Sequence, residues 1–187
     1  MDDGRATLLA ELACYSAADP HEAAMVAALV DFVRDNAACF ERSLLVGHVT
    51  ASAWVVDETH TYALLTHHRK LGKWLQLGGH TDGESDVRGA ALREATEESG
   101  LAAIRFAREA IYDIDVHPIP ARGAEPAHHH YDVRFAFIAD RNAPLSISEE
   151  SHDLAWRPVA ELDTPDTDES VRRLARKTAR LGALSGG

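Results

Sequence analysis

Between residues 129 and 139 the side chains alternate: Tyr131, Val133, Phe135 and Phe137 fall on one side, His130, Asp132 and Arg134 on the other. A period of two belongs to a β-strand, whose successive side chains point to opposite faces, so the chain must build a sheet around this segment. Residues 46–56 and 62–66 are rich in β-branched and aromatic types, and the short polar interval Asp57-Glu58-Thr59-His60 between them predicts an antiparallel hairpin. Strand-like material recurs in 104–116 and 154–156, and 118–126 reads as loop. Helical spacing governs the rest. Residues 5–17 and 21–37 predict two helices, the second with Asp19 as N-cap, Pro20 at its first position and Val26, Leu29, Val30 and Val33 as its apolar stripe. Residues 86–99 predict a third, ended by a left-handed Gly100, and 168–181 a fourth, with Val171, Leu174, Ala175 and Thr178 on one side. The fold class is α/β (α+β), a mixed sheet flanked by helices.

A chain of 187 residues has the size of one domain with a core of its own, so 1–187 is read as a single unit. Lys plus Arg number 19 against 30 for Asp plus Glu, a formal net charge of −11. That balance opposes attraction to nucleic acid or an anionic membrane, so neither is an expected partner. A small anionic substrate would then need a local cation, which points to a metal. The longest strongly apolar stretch, 23–30, is far short of the ~20 residues of a membrane-spanning helix. No basic export signal surrounds Asp2 and Asp3, and a cytoplasmic location is expected. Cys14 and Cys39 lack metal-type spacing and predict two buried, reduced thiols.

The densest chemistry is in Arg93-Glu94-Ala95-Thr96-Glu97-Glu98-Ser99-Gly100-Leu101. On a helix Glu94, Glu97 and Glu98 stand at i, i+3 and i+4, so three carboxylates leave one patch of surface. Like charges so placed repel unless a hard divalent cation sits among them, and Mg2+ and Mn2+ prefer oxygen ligands. Ala90, Ala91, Leu92, Ala95 and Leu101 supply the buried side of the same helix. Upstream, Gly78 and Gly79 offer a backbone clear of side chains, where the Gly78 carbonyl could ligate a metal or an amide approach a phosphate.

These residues resemble the Nudix hydrolase box: Gly, five residues, Glu, seven residues, Arg-Glu, an aliphatic residue, any residue, Glu-Glu, any residue, Gly, an aliphatic residue. Aligned on Gly79, the chain matches at Arg93, Glu94, Glu97, Glu98, Gly100 and Leu101, with Ala95 in the first aliphatic place. The first Glu of the box falls on Ser85, while Glu84 stands one residue early. The resemblance implies an α/β/α sandwich, with residues 1–43 as a helical extension and 44–183 as the core. It implies Mg2+- or Mn2+-dependent hydrolysis of the pyrophosphate linkage in a nucleoside diphosphate derivative or related compound. Glu97 and Glu98 are then the chief metal ligands, Glu94 a third ligand or the base, and Arg93 an orienting group. Two other activities fit the fold: a noncatalytic nucleotide sensor, suggested by the Glu84 displacement, and a diphosphate isomerase.

In many members of the family a late acidic residue completes the site, and here Glu149, Glu150 and Asp153 are the candidates. Arg69, Lys73, His130, Arg134 and Gly79 form the expected substrate-binding set, with His67, His68 and Lys70 in the same cationic rim. His128-His129-His130 predicts no zinc site as a unit, because neighbouring residues on a strand face opposite ways. Trp74 is expected in the core or stacked on a base. Arg172, Arg173, Arg176, Lys177 and Arg180 suit the negative end of the last helix. The apolar stripe of the N-terminal helices is expected to pack on the chain's own sheet or to form a homodimer.

Overall fold

The computed structural model describes residues 4–69, 71–123, 125–147, 151–165 and 167–183. In chain order the elements are α1 (Gly4–Ala13), α2 (Pro20–Asp35), β1 (Gly47–Val56), β2 (Tyr62–His68), β3 (Lys73–Leu75), β4 (Leu77–His80), α3 (Val87–Ser99), β5 (Ile104–Phe106), β6 (Asp113–Ile119), β7 (His128–Ala139), β8 (Ser151–Pro158), a 3-10 turn (Val159–Glu161) and α4 (Glu169–Ala183). None of these helices is long and apolar enough to cross a membrane. The chain divides into two compact units, and β1, β4, α3 and β7 contribute residues to both.

The first unit comprises Met1–Ala51, Gly79–Ala91 and Ala110–Phe135. Its second helix begins as its sequence dictates: the Asp19 carboxylate accepts from the Glu22 amide at 2.9 Å, and Pro20 follows at the first position, where a missing N–H costs nothing. It stops at Asp35 because the Asn36 side chain and amide both turn back to the Phe32 carbonyl. The buried stripe is Glu22, Met25, Leu29, Phe32 and Val33, rotated from the expected one. Two contacts fix that rotation. Phe32 stacks on Tyr131 with ring centroids 3.9 Å apart, and the Val116 amide reaches the Met25 sulfur at 3.4 Å. α2 therefore packs on β6 and β7 of its own chain. β6 pairs antiparallel with β7 in continuous register from Asp113 opposite Arg134 to Ile119 opposite His128. The strand thus runs through Pro118 and ends at Ile119, three residues further than its apolar pattern indicated.

The second unit comprises Ser52–Gly78, Leu92–Glu109 and Ala136–Gly187. The hydrogen-bonded strand order is β3-β2-β1-β7-β5, with β8 also on β2. The β1–β2 hairpin is antiparallel as expected, with Val56 opposite Ala63. β8 starts at Ser151, three residues before the expected strand-like segment 154–156, and pairs antiparallel along β2. α4 buries Val171, Leu174, Ala175 and Thr178, and the wholly buried Trp54 donates its indole N–H to the Thr178 hydroxyl at 2.9 Å.

Asp57 ties the hairpin turn. Its carboxylate accepts from the Thr59 hydroxyl (2.6 Å) and from the Thr61 and Tyr62 amides (2.8 and 2.9 Å). Burial raises its pKa, but these donors, led by Thr59, outweigh burial and hold it below the ordinary value. We expect Asp57→Ala to cost about 1–3 kcal/mol at neutral pH, because it strands two turn amides. The depressed folded-state pKa contributes stability above about pH 4 that is lost as pH falls through it, so wild type and variant should converge in acid unfolding curves.

Candidate functional site

Helix α3 is capped at its start by Asp86, whose carboxylate accepts from the Gly89 amide at 3.0 Å. At its end Gly100 adopts φ 69°, and its amide bonds to the Thr96 carbonyl at 2.8 Å. Within the second unit this helix presents Arg93, Glu94, Glu97 and Glu98 together. Arg93 Nη1 lies 2.6 Å from Glu94 Oε1 and 3.6 Å from Glu97 Oε2, so one guanidinium bridges two carboxylates. The Glu94 side chain is only 15% exposed, whereas that of Glu97 is 62% exposed. Glu98 turns the other way: its Oε2 accepts the Gly78 amide at 3.0 Å.

That last contact explains the glycine. Gly78 sits at φ 150°, a conformation that a side chain would strain, and it lies within β4. Gly79 follows it in the same strand, half-buried.

The remaining expected residues are placed elsewhere. Lys73 lies opposite His68 in the β2–β3 hairpin and pairs with Asp168 at 3.0 Å; Arg69 is exposed in the intervening turn. Asp153 lies opposite His67 on β8, which brings it to the same end of β2. His67 in turn stacks on Trp74, with centroids 5.2 Å apart, and Arg157 lies 5.3 Å from the Trp74 ring, so Trp74 is a half-buried surface platform and not core. Glu149, Glu150 and Lys70 lie outside the described residues.

Arg134 and His130 belong to the first unit. Arg134 is 1% exposed, and its guanidinium meets Asp132 (2.7 Å), Asp113 (3.2 Å) and Asp115 (3.3 Å). The Thr50 hydroxyl adds a bond to Asp132 at 3.0 Å. The polar face of β7 is thus a buried ion-pair cluster, and the expectation that Arg134 faces substrate gives way to a structural role.

His130 joins a group that the sequence did not single out. His48 on β1, His80 on β4, His117 on β6 and His128 on β7 surround it, with ring centroids 4.8, 5.4, 5.6 and 5.1 Å away. Burial, then the neighbouring imidazoles His80 and His128, lowers the His48 pKa to about 4. The Leu44 backbone opposes this without reaching hydrogen-bond geometry. Burial, then His48 and the other three rings, lowers His130 to about 2, and burial lowers His80 as well. His48 and His130 are therefore neutral at pH 7. The period-two pair His128 and His130 was the available signal; His48 was hidden in an apolar run.

A family model for the NUDIX domain matches residues 46–177, well over half the chain. The chain belongs to the Nudix family. This Nudix protein is accordingly a pyrophosphohydrolase by family, and the match starts beyond α1 and α2. Its fold is found again in solved structures. The Escherichia coli dihydroneopterin triphosphate pyrophosphohydrolase aligns with TM-score 0.56 at 14% identity, covering 69% of this chain and 92% of that one. A MutT protein from Methanosarcina mazei Go1 aligns with TM-score 0.51 at 17% identity, over 73% and 95% of the two chains. A MutT Nudix hydrolase from Burkholderia pseudomallei gives TM-score 0.51 at 22% identity, over 70% and 97%. The expected α/β class is the one observed. No curated protein matches the sequence.

Proposed function

We propose that this Nudix protein hydrolyses the pyrophosphate linkage of a nucleoside diphosphate derivative or related compound, using Mg2+ or Mn2+ held on α3. The observation that carries this reading is the α3 patch itself: Glu94, Glu97 and Glu98 at one turn's spacing, with Glu98 anchored to Gly78 and Arg93 bridging the other two. The donors are all oxygen, which suits a hard cation and not a soft one. Glu97 and Glu98 are the chief ligands, with Glu94 and the Gly78 carbonyl as further donors. The chemistry such a cation supplies when bound is neutralisation of diphosphate charge and activation of water.

The residues themselves do the positioning. The Gly78 amide fixes the Glu98 carboxylate before substrate arrives, so no reorganisation is needed during reaction. Arg93 screens Glu94 from Glu97 and sets their orientation, which makes it a positioning residue. Exposed Arg69 and Lys73 and half-buried Gly79 are assigned to substrate binding, and Asp153 is the remaining described candidate for a late acid. The whole of 1–187 is taken as one domain acting on a small molecule in the cytoplasm, and light scattering would reveal the homodimer considered above.

The test is a panel of nucleoside triphosphates, dinucleoside polyphosphates, nucleotide sugars and ADP-ribose, each with Mg2+ and with Mn2+, products resolved by mass. Cleavage at a phosphorus–oxygen–phosphorus bridge is expected. Tight binding without product would replace this reading with the sensor, and an isomer with its diphosphate intact would replace it with the isomerase.

A further inference from the structure

We propose that His48, His128 and His130 form a binding site for a divalent transition metal, with Zn2+ as the ion that the donors suit best. One ring nitrogen from each lies within 4.8 Å of the others. β7 supplies His128 and His130 two residues apart, on the same face, and β1 supplies His48. The adjacency that disqualified the His128-His129-His130 run is therefore avoided: His129 faces out, exposed, and His48 takes its place.

The spacing is nearly that of a coordination shell. Nε2 of His128 and Nε2 of His130 are 3.2 Å apart, and two ligands on a tetrahedral zinc with bonds of 2.0–2.1 Å stand roughly 3.3 Å apart. Closing the 4.8 Å span to that value requires a movement of roughly 1.5 Å shared among three rings. The protonation pattern suits ligation as well. The Pro126 carbonyl can only accept, so its 2.9 Å contact places the His128 proton on Nδ1 and leaves a lone pair on Nε2. His130 must then carry its proton on Nε2 to bridge that lone pair; on binding an ion it shifts to the Nδ1 tautomer, and no proton is lost.

His48 supplies the independent observation. It is 2% exposed, and neither ring nitrogen makes a hydrogen bond among the described residues. A buried imidazole with neither nitrogen hydrogen-bonded is costly to keep unless a ligand completes it. Beside the three, the Asp115 carboxylate holds the neighbouring His117 ring through Nδ1 at 2.8 Å. His128 also lines a groove of about 440 Å3 with Val46, Pro118 and Ile119. Imidazole nitrogens select zinc, copper and nickel over Mg2+, so these ligands and the α3 carboxylates sort ions by donor chemistry.

The test uses the full chain without an oligohistidine tag, stripped with chelator and titrated with Zn2+ in excess Mg2+ against a chromogenic competitor. One equivalent is expected to bind, weakened by at least about 100-fold in His48→Gln and in His130→Gln and unchanged in His129→Gln. No stoichiometric uptake, or equal affinity in His130→Gln, overturns the site. Should the variants misfold, imidazole nitrogen NMR of the wild type decides: Zn2+ must move the resonances of His48, His128 and His130, and shifts confined to other histidines overturn it.

Discussion

Glu97→Gln is expected to leave a folded protein that has lost roughly 100- to 1,000-fold of its metal-dependent turnover. The two halves of that expectation have separate causes. Glu97 contributes little to stability: its side chain is 62% exposed, and its one described ion pair is the 3.6 Å approach of Arg93. Such exposed pairs are worth about 0–1 kcal/mol, so the melting temperature should scarcely move. Glutamine keeps the shape and one carbonyl oxygen but removes the charge that a hard cation requires. Turnover of any substrate found in the panel should therefore fall while circular dichroism and thermal melts stay at wild-type values, and raising the Mg2+ concentration should recover part of the loss. Glu161→Gln, an exposed carboxylate in the 3-10 turn, serves as the control for charge alone. Wild-type turnover in Glu97→Gln would remove α3 from the chemistry.

The two proposed sites differ in how they are written in the chain. The carboxylates of α3 were legible because i, i+3, i+4 is a local relation, fixed by helix geometry whatever the tertiary structure does. So were the Asp19-Pro20 start of α2, the Gly100 stop of α3 and the alternating faces of β7, each set by short-range backbone preferences. The anchor of Glu98 on Gly78 was not, since glycine disfavours strands and only the pairing of β4 with β1 draws Gly78 into one. The polar face of β7 was read correctly as polar and wrongly as open, because alternation states which residues share a side but not what covers that side. The ion pairs of Arg134 with Asp113 and Asp115 depend on β6 lying in register beside it. The histidine cluster is the extreme case: four strands supply it, and its members span residues 48 to 130.

Arg134→Met should destabilise the first unit by about 3–5 kcal/mol. Methionine fills a similar volume, so the loss is electrostatic and not a cavity effect. It leaves Asp113, Asp115 and Asp132, which the guanidinium contacts at 2.7 to 3.3 Å, without their shared cation in a site where Asp113 and Asp132 are 0% and 3% exposed. For a chain of this length that corresponds to a drop of roughly 6–20 °C in melting temperature. Arg134→Lys retains the charge but not the planar fork that reaches three acids at once, so it should fall between wild type and Arg134→Met. Adding Asp132→Asn to Arg134→Met removes one stranded carboxylate whose other oxygen already accepts from Thr50, and should recover part of the loss. A substrate-binding arginine would behave differently, with an unchanged melt and a raised KM. Denaturant curves and melting temperatures of the three variants separate the two roles, and a wild-type melt in Arg134→Met would mean that the buried acids do not depend on it.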